Sequence, residues 1–121
     1  MRLKLGPRGE RAGAKFLKRL GYRILATNYT CPLGEVDIIA VDGDMIVFVE
    51  VKTRRSDEVA NPENAVNYHK RRQITRTAKW FLSDNKLQHT PARFDILAIL
   101  MPASGKPDIE HFIDAFPVTP R

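Results

Sequence analysis

The sequence has little of what disulfide-bonded and zinc-binding proteins need. Its 121 residues include one cysteine and three histidines. Cys31 cannot form an internal disulfide, and one thiol with scattered histidines does not supply a zinc site at any usual spacing. These counts exclude a disulfide-stabilised domain and a zinc enzyme.

Long apolar runs are also missing. The two longest, Met45 to Val49 and Ile96 to Met101, are far shorter than the roughly 20 residues that cross a bilayer. Residues 1–8 carry charge but contain no apolar core of a secretion signal. We therefore expect no transmembrane helix, no membrane partner and a cytoplasmic location.

What the sequence does contain is enough apolar material for one core and an excess of basic residues. Hydrophobic residues make up 43% and charged residues 28% of the chain, a balance typical of globular proteins. The length predicts one domain spanning residues 1–121. The net charge of +6 makes nucleic acid a plausible class of partner.

The charges are unevenly distributed along the chain. Residues 1–23 hold eight bases and one acid, residues 28–51 hold five acids and no base, and residues 52–79 hold eight bases and three acids. A phosphate-binding surface around an acidic centre would give this alternation. A solvated surface would give it as well, so charge by itself leaves both interpretations open.

Hydrophobic periodicity predicts an α/β domain with a mixed β-sheet flanked by helices. Asn61-Pro62 resembles an N-cap followed by proline, so a long second helix is expected to begin there and to end at Ser83–Asn85. We expect Trp80 and Phe81 to lie on its buried face. The predicted order is a helix at about 8–20, strands at 22–29, 35–41 and 45–53, the second helix, and strands at 93–100 and 109–115.

The chemistry is concentrated in the predicted hairpin of the second and third strands. Alternation places Glu50 and Lys52 on one face of the third strand. If the hairpin loop has an even number of residues, Asp37 shares that face, directly opposite Glu50 when the loop is Gly43-Asp44 and one pair away when it is Asp42-Gly43.

Two carboxylates at this separation repel each other unless a cation lies between them. Hard oxygen ligands suit Mg²⁺, and the neighbouring Lys52 could then assist metal-dependent hydrolysis of a phosphodiester. The simpler interpretation is a surface salt bridge from Lys52 to Glu50 or to Asp37. Spacing by itself favours the salt bridge.

Two segments carry a more specific signal. Gly34–Asp37 followed by Phe48–Lys52 resembles the signature of the PD-(D/E)XK nuclease superfamily, whose restriction-endonuclease-like core is helix, three strands, helix, strand. Together with Gly9-Glu10, the Gly21–Leu25 run, Asn28 and Arg93–Asp95, these motifs resemble the YraN family of small bacterial proteins. That family is regarded as predicted endonucleases distantly similar to Holliday-junction resolvases. Val36 stands where the superfamily signature has its namesake proline.

The resemblance implies a role for each matching residue. Asp37 and Glu50 would bind Mg²⁺, for which Mn²⁺ could substitute, helped by the backbone carbonyl of Val51, and Lys52 would be the catalytic lysine. Glu10 resembles an additional helical acid, although a favourable interaction with the first helical turn explains it equally well. Lys70 and Gln73 resemble the helical Lys/Gln that contacts the site in many members.

We therefore expect a Mg²⁺-dependent endonuclease that cleaves DNA, selective for structures such as junctions or flaps, and working as a homodimer if it cuts two strands. A nucleic-acid-binding module without turnover and an adaptor for acidic proteins remain alternatives. The side chains expected to contact nucleic acid are Arg54, Arg55, Lys70, Arg71, Arg72, Gln73 and Arg76, and we expect the six basic ones to line a single groove. Asp95 is expected to support Lys52 or Arg93, and His89 and His111 have no predicted partner.

Overall fold

A computed structural model of the chain describes residues 5–55 and 66–118. It confirms the predicted order of helix, three strands, helix and two strands. The helices are α1 (Leu5–Arg19) and α2 (Tyr68–Asp84), and the strands are β1 (Arg23–Cys31), β2 (Gly34–Asp42), β3 (Met45–Arg55), β4 (Ala92–Met101) and β5 (Asp108–Phe116).

The five strands form one mixed sheet in the order β1-β2-β3-β4-β5. Only β3 and β4 pair in parallel, and the other three neighbouring pairs are antiparallel. A parallel pair needs a crossover between its strands, and the segment between β3 and β4 contains α2. The α/β class and the mixed sheet are therefore as predicted.

Each face of the sheet carries its own apolar cluster. Phe48, Ile74 and Phe81 belong to the cluster under α2, whereas Leu17 and Val49 belong to the cluster under α1. Successive residues of a strand point to opposite faces, so the apolar run of β3 supplies both clusters. Both helices are thereby fixed against the centre of the sheet, and their N-terminal turns are fixed with them.

The start of the second helix differs from the prediction. Pro62 and Asn61 lie outside the described residues, but Asn67 is extended (φ −78°, ψ 176°) and its side chain accepts a hydrogen bond from the Lys70 amide at 3.0 Å. Asn67 is therefore the N-cap of α2, and the predicted continuous helix through Val66 is wrong. Val66 is nevertheless buried.

Trp80 was expected in the core and is instead 42% exposed. At 100° per residue, Trp80 lies about 120° around the helix from the buried Ile74, and this rotation turns its side chain away from the sheet. Phe81, one residue later, returns to the buried face as predicted.

A buried carboxylate anchors the sheet at Asp95. Arg93 Nε donates to Asp95 Oδ1 at 3.0 Å, the Asp114 amide donates to the same oxygen at 2.9 Å, and His111 Nε2 lies 2.7 Å from Oδ2. Burial by itself would raise the pKa of Asp95, but the hydrogen bonds from His111, Arg93 and the Asp114 amide outweigh it and lower the pKa. The expectation that Asp95 supports Arg93 is confirmed, and the absence of a partner for His111 is corrected.

Candidate active site

The hairpin of β2 and β3 has the register that brings the two predicted carboxylates together. Asp42 pairs with Met45, which leaves Gly43-Asp44 as a two-residue loop, and Ile38 pairs with Val49 at the other end. Continuing this register by one residue sets Asp37 opposite Glu50. The loop therefore has an even number of residues, which was the condition for Asp37 and Glu50 to share one face of the sheet.

Asp37 lies where the regular pairing of β2 with β3 ends. The last recorded pair is Ile38 with Val49, and one step further the Asp37 carboxylate accepts a hydrogen bond from the Val51 amide at 2.7 Å. The Asp37 side chain thereby takes the place of a backbone carbonyl as the acceptor for the Val51 amide of β3. This bond fixes one carboxylate oxygen of Asp37 and leaves the other available to a ligand.

Glu50 is buried with an incomplete set of partners. It is 4% exposed, its Oε1 has no hydrogen-bond partner, and its Oε2 lies 3.6 Å from the Nζ atoms of Lys52 and Lys70. Burial, followed by the negative charge of the neighbouring Asp37, raises the pKa of Glu50 to about 7, against the opposing effect of the two lysines. A cation between the carboxylates would remove this repulsion.

The first two turns of α2 bring Lys70 to Glu50 and Gln73 to Lys70. Lys70 Nζ donates to Gln73 Oε1 at 3.2 Å, and the Asn67 cap fixes the turn from which Lys70 projects. Gly34, at the start of β2, adopts φ +150°, and a β-carbon there would overlap the Gln73 side chain. A glycine at this position therefore leaves the space in which Gln73 lies.

Glu10 reaches Asp37 from α1. Partial burial, and next the charge of Asp37, raise the pKa of Glu10, whereas a hydrogen bond from the Asn28 side chain lowers it. Asn28 lies opposite Asp37, between the pairs Thr27–Ile38 and Tyr29–Val36, and has φ +54°. A positive φ inside a strand is uncommon except for Asn, Asp and Gly. The backbone of β1 is therefore distorted at the residue whose side chain contacts Glu10.

The predictions from the residues themselves missed three features of this arrangement: the contact of Asn28 with Glu10, the space at Gly34, and the close approach of Gly9 to Thr53 described below. An asparagine within a run of β-forming residues was the available signal for the first. The others depend on how the helices pack, which no local pattern records.

The acids suit a metal with few protein ligands. Residues 5–55 and 66–118 contain no group of three or more His, Cys, Asp or Glu side chains arranged to enclose a metal ion. Asp37 and Glu50 instead form a pair with one unpartnered buried oxygen. Mg²⁺ commonly uses one or two carboxylates and keeps several waters, so the pair fits this ion.

The predicted nucleic-acid contacts are divided by the fold. Lys70 and Gln73 lie at the site, Arg54 and Arg55 end β3 just beyond Lys52, and Arg76 is exposed on α2 with the half-buried Arg72 one turn before it. Arg71 departs from the expected groove. Its Nε donates to the Val66 carbonyl at 2.9 Å and its guanidinium lies 5.3 Å from the centre of the Phe116 ring.

Arg71 therefore packs toward β5, on the opposite flank of α2 from Gln73, because the two residues are separated by about 160° around the helix. It stabilises the docking of α2. The expectation that all six basic residues line a single groove is corrected at this position.

The fold and site define an α/β protein whose mixed sheet carries an acidic pair flanked by two lysines, at the ends of two helices. The model of the uncharacterised protein family UPF0102 matches residues 9–99, and the chain belongs to this family. This is the YraN family that the sequence motifs resemble, so that part of the resemblance is confirmed.

Relatives match nearly the whole chain. A UPF0102 protein of Geotalea daltonii is 48% identical over 93% of this chain and 88% of its own length. Those of Geobacter sulfurreducens and Thermodesulfovibrio yellowstonii are 46% and 42% identical, over 93% and 95% of this chain and 88% and 97% of their own lengths. No helix in residues 5–55 and 66–118 is long and apolar enough to span a membrane.

Proposed function

We propose that this protein is a metal-dependent endonuclease that hydrolyses DNA phosphodiesters. The observation that carries the proposal is the buried Glu50, with one unpartnered oxygen beside Asp37 and its other oxygen between two lysines. A salt bridge that served stability would not need a second, half-buried carboxylate against it. The arrangement is costly for folding and useful for binding a cation and a phosphate together.

Asp37, Glu50 and the Val51 carbonyl would hold Mg²⁺, or Mn²⁺ in its place. When bound, the ion polarises a phosphoryl oxygen and lowers the pKa of the attacking water. The Val51 amide is already committed to Asp37, which holds that carboxylate in position before any ligand arrives. The ligand role of the Val51 carbonyl is part of the proposal.

The two lysines would act on the phosphate. Lys52 is 36% exposed at its side chain and can contact both Glu50 and a substrate oxygen, so its charge would stabilise the negative charge that grows on the phosphoryl group. Lys70 lies at the same carboxylate oxygen from the other side and is oriented by Gln73. Glu10, whose raised pKa favours keeping its proton, would exchange a proton with water entering from α1.

Basic residues around the site support nucleic acid as the substrate. Arg54, Arg55, Arg72 and Arg76 would contact phosphates on either side of the scissile bond. The resemblance to PD-(D/E)XK nucleases supports the same chemistry. Selectivity for junctions or flaps, and a homodimer for cutting two strands, are part of this proposal.

The test is a cleavage assay on single-stranded, duplex, flap and four-way-junction DNA with Mg²⁺, Mn²⁺, Ca²⁺ or EDTA. We expect cleavage with Mg²⁺ or Mn²⁺ and loss of cleavage in Asp37→Asn, Glu50→Gln and Lys52→Ala. Asp44→Asn is the matched control, because Asp44 is an exposed acid in the same hairpin, at its other end.

Cleavage that persists in Glu50→Gln would identify a contaminating nuclease and refute the proposal. Metal-independent DNA binding by the parent protein without cleavage of any substrate would favour the non-catalytic binding module. Sedimentation of the protein with and without junction DNA tests the dimer.

A further inference from the structure

A second basic surface lies away from the carboxylate pair, between α1 and the start of β5. It is a cavity of about 290 Å³ whose walls include three basic side chains, Lys15, Arg19 and Lys106. Its apolar wall includes Phe16, Pro107 and Ile109, and among the described residues no acidic side chain lines it. None of the three bases has a carboxylate partner among the ion pairs of the described residues.

The Phe16 ring is held in place by a contact with His111 of β5. Its ring makes an edge-to-face contact with His111 at 5.9 Å between ring centres, and His111 is fixed by Asp95 at 2.7 Å. A ring fixed in this way can receive a planar ligand without losing further side-chain freedom on binding. The cavity thus combines an immobilised aromatic wall with three exposed cations.

This combination selects one class of ligand. Inorganic phosphate would use the cations and leave the apolar wall wet, and a duplex would present its backbone while its bases stay stacked. An unpaired nucleotide presents a phosphate and a planar base together, and single-strand binding sites combine basic grooves with aromatic platforms. The volume is close to the lower end of small-ligand pockets, roughly 300 Å³, so one nucleotide unit suits it and a larger folded segment does not.

We propose that this cavity binds one unpaired nucleotide of a single-stranded DNA segment, with its phosphate at Lys15, Arg19 and Lys106 and its base against Phe16. The inference rests on the proposed function in taking DNA as the ligand. Lys15 follows Glu10 by five residues, which is about 7.5 Å of helix rise and about 140° of rotation, so a strand that reaches both the carboxylate pair and the cavity has to cross over α1. The cavity would then favour substrates that carry an unpaired strand.

The test measures binding by fluorescence anisotropy in EDTA, where cleavage does not contribute. The probes are a labelled oligothymidylate of about ten nucleotides, the same backbone without bases, and an oligoglutamate of equal charge. For the parent protein we expect the strand without bases to bind at least about fivefold more weakly than oligothymidylate, because stacking is lost.

Lys15→Ala and Lys106→Ala should each weaken oligothymidylate binding by about three- to tenfold and lower its salt slope by about 0.7. Phe16→Leu should weaken oligothymidylate and leave the strand without bases unchanged. Lys18→Ala is the matched control, since Lys18 is an exposed lysine of the same helix that does not line the cavity. It should stay within about twofold of the parent protein.

Three results would overturn the inference: equal binding with and without bases, equal losses in Lys18→Ala and Lys15→Ala, or oligoglutamate binding as tightly as DNA. The comparison of strands needs no variant, so it decides the question even if Phe16→Leu is unstable. Cavity-dependent binding without cleavage would refute the proposed function and keep this inference. Cleavage together with DNA binding that does not depend on the cavity would support the proposed function and refute this inference.

Discussion

Gly9 of α1 lies against Thr53 of β3 so closely that a β-carbon at position 9 would overlap the Thr53 hydroxyl oxygen. Gly9 is buried, and that hydroxyl has no hydrogen-bond partner. The contact sets the distance between α1 and the sheet one residue before Glu10. A glycine at this point therefore controls how near Glu10 comes to Asp37.

Gly9→Ala should lower the free energy of unfolding by about 1–3 kcal/mol and displace the first turns of α1. Thr53→Ala removes the overlapping oxygen and should be close to neutral by itself, because it also removes an unpartnered buried group. The double variant should recover part of the loss, as measured by urea denaturation in a double-mutant cycle. Strict additivity would show that the two residues do not constrain each other.

Divalent cations should stabilise the folded protein through the Asp37 and Glu50 pair. A ligand that binds only the folded state raises its stability by mass action, by about 2.7 kcal/mol at a hundred times its Kd. Mn²⁺ or Mg²⁺ should therefore raise the Tm of the parent protein and of Asp44→Asn, and raise it much less in Asp37→Asn and Glu50→Gln. The Tm values are measured by differential scanning fluorimetry. An equal rise of Tm in all four proteins would contradict a metal site at Asp37 and Glu50.

Without metal, Glu50 should make the protein less stable as pH rises. Its pKa is raised from 4.5 to about 7 in the folded state, so between these values the folded protein holds a proton that the unfolded chain releases. The contribution of Glu50 to the free energy of unfolding is fully present below about pH 4.5. It is lost as pH rises through about 7, which lowers the free energy of unfolding by up to about 3 kcal/mol. Denaturation in EDTA at acid and alkaline pH measures the loss, and Glu50→Gln should abolish it.

The Asp95 network has the opposite pH dependence. Because the pKa of Asp95 is lowered, its contribution is present above the ordinary value near 3.8 and is lost as pH falls. Asp95→Asn should destabilise the protein by about 3–5 kcal/mol, since it breaks a buried ion pair and leaves Arg93 with one fewer partner. A cost below about 1 kcal/mol at neutral pH would show that the network is dispensable.

Two arginines of α2 should separate stability from DNA binding. Arg71→Ala loses a hydrogen bond to Val66 and a ring contact with Phe116, and should cost about 1–2 kcal/mol of stability. Arg76→Ala changes an exposed residue and should leave stability unchanged while lowering the salt slope of duplex binding by about 0.9. Binding isotherms at several salt concentrations give the salt slope, and urea denaturation gives the stability. A loss of stability in Arg76→Ala together with a lower salt slope in Arg71→Ala would contradict this assignment.

Several aspects of the protein follow from the sequence by itself. The order of helices and strands, the presence of a tight hairpin turn within residues 42–44 and the shared face of Glu50 and Lys52 depend on residues near each other in the chain. Periods of two and 3.6 record which side of an element is buried, and a two-residue loop fixes the register of its strands. These patterns were enough to place Asp37 on the same face as Glu50 for a loop of even length, and the structure decided between the two possible registers.

Other aspects were decided by tertiary structure. The sequence predicts Asn61 as the cap of the second helix, whereas Asn67 forms the observed cap. Arg71 and Arg76 are both basic residues of α2, and only packing against β5 commits one of them to Phe116. The burial that leaves a Glu50 oxygen unpartnered, and raises its pKa, arises where segments distant in sequence exclude water together. Local patterns could identify the charged groups of this site, but their protonation and partners depend on the surrounding fold.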